Sequence, residues 1–133
     1  MTTFTRLHLL ALCGALLAAA TLPMPATAQE LSGNWSGGGT VRLPSGESER
    51  VRCRVTYSRL SSKVYAVAAT CTTQSTTIRQ TGELLMVRPG RYIGDFYNPQ
   101  FDIGGRIRVR VSGNRQAVTM TSSHGTGSLT LSR

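Results

Sequence analysis

The stretch ERVRCRVTY, residues 49–57, decides the fold. Val51, Cys53, Val55 and Tyr57 alternate with Arg50, Arg52, Arg54 and Thr56. Successive side chains of a β-strand point to opposite faces, so this run buries one side and wets the other. The next run, VYAVAATC at residues 64–71, can be registered against it by a physical test. A disulfide requires Cα atoms within ~7 Å and converging Cβ vectors. Opposing Cys53 to Cys71 sets Val55 against Ala69 and Tyr57 against Val67, so the apolar faces coincide and a short turn remains around Ser61, Ser62 and Lys63. A slip of one residue would send those side chains to opposite faces. The alternative reading is a pair of free core thiols.

Working outward, VSGNRQ at residues 111–116 carries a Gly-Asn pair suited to a tight hairpin. Counting from it pairs Val109 with Val118 and Ile107 with Met120. Counting from His124-Gly125 pairs Met120 with Leu129 and Val118 with Leu131, so three strands share one buried face. Residues 75–87 read as one long strand kinked at Gly82, followed by a turn at Arg88-Pro89-Gly90 and a strand over 91–97, with Ile78, Leu84, Met86 and Phe96 inward. A first strand over 35–43, turned by Pro44-Ser45-Gly46, completes a set of eight. No helical periodicity competes with this all-β reading. Eight strands close an up-and-down antiparallel barrel just wide enough to be filled by side chains or to hold one small ligand. A twisted β-sandwich of the same strands is the alternative.

The N-terminus reads differently. Residues 1–28 combine Arg6, an apolar run over 9–20, Pro23, Pro25 and Ala26-Thr27-Ala28. That is the pattern of a secretory signal peptide with an A-x-A cleavage site, too short to span a bilayer. Residues 29–133 then form a single domain in a periplasmic or secreted setting, where a disulfide persists. Without Arg6, the 15 basic residues become 14 against 6 acidic ones, a net charge of +8. Such basicity attracts anionic partners. For an exported chain these are envelope lipid or polysaccharide rather than nucleic acid.

Gly33-Asn34-Trp35 resembles the G-x-W signature that opens the first strand of lipocalins, within the wider calycin architecture. The resemblance implies that Arg133, at the end of the last strand, stacks on Trp35. The run WSGGGTVRL, with VRCRVTY and the terminal SLTLSR, is similar to small exported proteins of alphaproteobacteria, a likeness that implies export but no activity. A fainter similarity is to periplasmic metalloprotease inhibitors, small barrels whose N-terminal segment enters the protease cleft. Residues 29–34 would take that part here.

Candidate functional residues follow from these faces. Trp35, Tyr57, Tyr65 and Phe96 are placed to line a pocket for a small amphipathic ligand, and the plain reading of Trp35 is a core plug. Arg50, Arg52 and Arg54, and Arg106, Arg108 and Arg110, form two rows on outer faces. Arginine forks match phosphate and carboxylate, so the rows are candidate anion-binding residues. On strands two and six they fall on different sides of the barrel, and the plain reading is a solvated exterior. Gly37 and Gly39 pair near Cys53 and Val51 and let the first strand bend. With the thiols bonded, His124 is the one imidazole left in residues 29–133. A catalytic set with Asp95 or Asp102, a carboxylate pair from Glu47 and Glu49, and a metal site all lack converging partners. The sequence therefore implies no catalytic residues, no metal and no cofactor. It points to a non-catalytic envelope protein binding an amphipathic ligand or anionic component, or alternatively to a protein-binding module of the inhibitor type.

Overall fold

The computed structural model describes residues 19–23 and 30–133. The expected leader and its cleavage motif lie largely outside the described residues. Eight strands follow one another: β1 (Gly33–Arg42), β2 (Ser48–Arg59), β3 (Val64–Thr72), β4 (Thr77–Arg88), β5 (Arg91–Asn98), β6 (Ile103–Ser112), β7 (Arg115–Ser122) and β8 (Gly125–Ser132). Each pairs antiparallel with the next, and β1 closes on β8 through Gly37 opposite Leu131 and Gly39 opposite Leu129. The sheet is a closed barrel, not a sandwich, and closure leaves no edge strand exposed.

The alternation of residues 49–57 is realised in full. Val51, Cys53, Val55 and Tyr57 are buried, and the arginines between them are exposed. Cys53 and Cys71 are bonded and directly opposed, with Val55 opposite Ala69 and Tyr57 opposite Val67. On β2 the outward positions are charged or polar and the inward ones apolar, the inverse of the pattern of a membrane-spanning strand.

Three expectations need correction. Strand β4 begins at Thr77, because residues 73–76 close a turn in which the Thr76 N–H donates to the Thr73 hydroxyl (3.2 Å) and the Thr73 N–H to the Thr76 carbonyl (2.9 Å). Pairing runs through Gly82 without a break, and the irregularity falls at Val87, between Met86 and Arg88. The β7–β8 turn centres on Ser123-His124 rather than His124-Gly125, since the Ser122 hydroxyl accepts the His124 N–H (3.1 Å) and fixes a hydroxyl-capped turn. Pairing therefore shifts by two residues, which preserves the faces but sets Met120 opposite Gly127 and Val118 opposite Leu129. By contrast, the Gly113-Asn114 hairpin forms as read, with Gly113 at a φ of 60°.

The interior is asymmetric along the barrel axis. Trp35, Tyr65, Tyr92, Leu31, Leu84, Leu131 and Val109 are the largest fully buried side chains and pack towards one end, here called the closed end. Towards the other, open end glycines interrupt the inward row, Gly39, Gly105 and Gly127 lying among Val41, Ile78, Phe96, Ile103 and Met120. At Gly39 a Cβ would lie 1.8 Å from the Ser128 carbonyl oxygen, so β1 presses on β8 where the barrel turns its corner. The obstruction is the β8 backbone. Gly39→Ala is expected to cost about 1–3 kcal/mol through backbone displacement, read as a lowered urea midpoint.

Candidate functional site

The closed end is sealed by the residues that precede β1. The Trp35 indole N–H donates to the Leu31 carbonyl (2.9 Å), and Leu31 is wholly buried. Arg133 lies over the Trp35 ring, 4.4 Å from its centroid, and donates to the Ser32 carbonyl (3.0 Å). The stacking implied by the G-x-W resemblance is thus present. Arg59 donates to the Tyr65 hydroxyl (2.7 Å) and to Glu30 (3.2 Å), while Tyr65 meets Tyr92 edge-on at 5.4 Å. Burial, foremost, pushes the Tyr92 phenol up to about 12.

Hydrogen bonds from Ser32, then the Arg59 charge and the Tyr65 hydroxyl, hold the Glu30 carboxyl below its ordinary value against the opposing effect of burial. A carboxyl depressed in the folded state contributes stability above its unfolded pKa and loses it as pH falls through the folded one. The clasp on residues 30–32 should therefore loosen below about pH 4. Hydrogen exchange at the Ser32 amide should quicken there, relative to core amides, and Glu30→Gln should abolish that pH dependence.

The open end is hollow. An inner chamber of about 30 Å³, room for one or two water molecules, is walled by Tyr57, Val67, Cys71, Phe96, Ile107 and Met120 among others. Beyond it a mouth of about 330 Å³ is lined by Val41, Leu43, Ile78, Phe101, Ile103 and His124 among others. Gln80, Phe96 and Met120 belong to both walls and form the constriction between them. Phe96 and Met120 lie there because glycines face them. A Cβ at Gly105 would meet the Phe96 ring at 2.6 Å, and one at Gly127 would meet the Met120 methyl at 3.0 Å. Leu43 and Phe101 leave apolar surface at the rim.

Two buried side-chain amide atoms have no protein hydrogen-bond partner among the described residues: Gln80 Oε1, in the wall shared by chamber and mouth, and Gln116 Nε2, near the start of β7 towards the closed end. Gln116 Oε1 accepts the Tyr57 hydroxyl (2.7 Å). Burial outweighs that bond and keeps the Tyr57 phenol well above its ordinary value, hence a donor. An unpaired buried acceptor costs about 1–3 kcal/mol, so one in a cavity wall marks where a ligand donor would fit.

Of the residues singled out from sequence, Tyr57 and Phe96 come together around the inner chamber, whereas Trp35 and Tyr65 lie in the sealed end. The rows Arg50/Arg52/Arg54 and Arg106/Arg108/Arg110 point outward on β2 and β6, with three strands between them in either direction. Asp95 pairs with Arg106 (3.4 Å), Asp102 accepts the Tyr97 hydroxyl (2.8 Å), and the His124 ring meets the Ser123 hydroxyl (3.1 Å). Among the described residues no group of three or more side chains is arranged to hold a metal ion, and no helix is long and apolar enough to cross a membrane. Gln80 and Met120 were not singled out from sequence. The signal for Gln80 was its parity, a polar side chain in step with inward Ile78 and Leu84.

No sequence-family model matches the chain, and no curated protein does. Solved structures share its fold. A redesigned β-barrel, mFAP1, bound to DFHBI, superposes with a TM-score of 0.68 at 17% identity, over 81% of this chain and 100% of that one. A fluorescence-activating β-barrel designed de novo gives 0.62 at 17% identity, over 83% and 99%. Rv2717c from M. tuberculosis gives 0.55 at 14% identity, over 77% and 92%. At such identities the likeness concerns the barrel alone.

Proposed function

We propose that this chain is a non-catalytic, exported envelope protein that takes one small amphipathic ligand into the open end of its barrel. The observation that carries the reading is Gln80 Oε1, a buried acceptor without a protein partner, in the wall shared by chamber and mouth. A ligand with an apolar body and one N–H or O–H donor would fill the constriction past Phe96 and Met120 and satisfy that oxygen. Its polar end would rest near Glu49, Thr76, Ser122 and His124, which line the mouth. A mouth of about 330 Å³ lies at the small end of the usual range for ligand pockets, about 300–1,000 Å³. That two of the designed barrels are bound to DFHBI supports the idea that a barrel of this build admits a small molecule. Export rests on the A-x-A leader pattern. The inhibitor-like alternative loses support, because residues 30–32 are clasped into the closed end rather than projecting from it.

Gln80→Leu separates function from folding. Removing an unpaired buried acceptor should stabilise the empty barrel by about 1 kcal/mol, while a ligand that donates to Gln80 should bind roughly tenfold more weakly. Native mass spectrometry of protein purified from its own cells should show a retained small molecule, lost in Gln80→Leu. Retention unchanged in that variant, or nothing retained by either protein together with no uptake of the fluorescent amine N-phenylnaphthylamine, overturns the reading.

A further inference from the structure

The outer face near the closed end carries a charge arrangement that the ligand cup does not explain. Pairing sets Arg88 opposite Arg91 and Arg91 opposite Arg110, three like charges side by side across β4, β5 and β6, with Arg115 opening β7 on the same rim. The next outward row towards the open end is Leu85, Ile93 and Arg108. Like charges directly opposed in a sheet destabilise it. No carboxylate among the described residues pairs with Arg88, Arg91, Arg108, Arg110 or Arg115, and all six acidic residues of the chain are among those described. The face ends at the row Glu83, Asp95 and Arg106, where Asp95 is taken by Arg106. Apolar side chains lie among these cations. Leu85 is 47% exposed, Val87 51%, and Leu60, at the tip of the neighbouring β2–β3 turn beside Lys63, 57%.

We infer that this face docks the barrel, closed end first, on an anionic phospholipid surface. A soluble polyanion would use the arginines alone. A bilayer interface takes both the cations, at its headgroups, and Leu60, Leu85 and Val87, at the boundary of its acyl chains. The mouth then points away from the membrane. The docking also relieves a repulsion that no ion pair among the described residues offsets.

Protein expressed from the full chain and purified as its host processes it should sediment with vesicles of phosphatidylglycerol and phosphatidylcholine, and not with phosphatidylcholine alone. The double substitution Arg91→Gln/Arg110→Gln should weaken that binding roughly thirty-fold, from the usual contribution of each basic residue near such a surface. The pair Arg52→Gln/Arg54→Gln, of equal charge change on the far side of the barrel, should leave it within a fewfold. Val87→Ser, with no change in charge, should also weaken it. All three sites point outward, and thermal unfolding of each variant should match or exceed that of the parent, Arg91→Gln/Arg110→Gln most of all. Equal losses from the two arginine pairs, indifference to Val87→Ser, or tighter binding to soluble heparin than to the vesicles would each overturn the inference.

Discussion

Trp35→Ala is expected to lower the stability of the barrel by about 3–5 kcal/mol, the range for truncating a large buried aromatic. The indole is 2% exposed and its N–H holds the Leu31 carbonyl, so the substitution opens a cavity and releases the segment that seals the closed end. Arg133, stacked on the same ring, loses its seat as well. Trp35→Phe keeps much of the volume but removes the indole donor to that carbonyl, and should cost about 1–3 kcal/mol. Urea denaturation followed by far-ultraviolet circular dichroism measures both without relying on the lost fluorophore. A cost near zero for the alanine variant would mean that the closed end is not held by this ring.

Reduction of the Cys53–Cys71 bond should cost about 3 kcal/mol, since the bond closes a loop between residues 18 apart and so restricts the unfolded chain. The urea midpoint should fall accordingly with reductant, and the double substitution Cys53→Ala/Cys71→Ala should be insensitive to it. Cys71 also forms part of the inner chamber wall. Uptake of a small ligand should therefore weaken on reduction under conditions where the barrel is still folded. An unchanged midpoint would show that the bond is not formed in solution.

How far the sequence carried these conclusions depends on where each strand had an independent marker of register. Between β2 and β3 the two cysteines supplied one, and every pair counted from them is present. Between β6 and β7 the Gly-Asn turn did the same. At β7–β8 no such marker existed, because Ser122 caps the turn with a hydroxyl, a local competition that glycine placement does not reveal. That two-residue shift matters for the site. Opposing Met120 to Gly127 instead of Leu129 is one reason the open end is hollow.

The candidate site was legible in part for the same reason. Tyr57 and Phe96 lie on strands whose inward parity was readable, and both reach the chamber. Trp35 and Tyr65 share that parity but sit further along the axis, and depth along a barrel follows from strand stagger, which alternation does not encode. The arginine face of β4, β5 and β6 stayed hidden because the irregularity at Val87 sets which arginine opposes which. Isolated rows of alternating charge were visible; their convergence across strands was not.

The central claim is that a ligand enters beside Gln80, Phe96 and Met120 at the open end. Methyl and amide nuclear magnetic resonance during titration with N-phenylnaphthylamine tests it most directly. The Met120 methyl, the Gln80 side-chain amide and the Phe96 ring should shift together, while the Trp35 indole N–H stays in place. Shifts confined to the Trp35 end or to the outer arginine face, with Met120 and Gln80 unmoved, would contradict it.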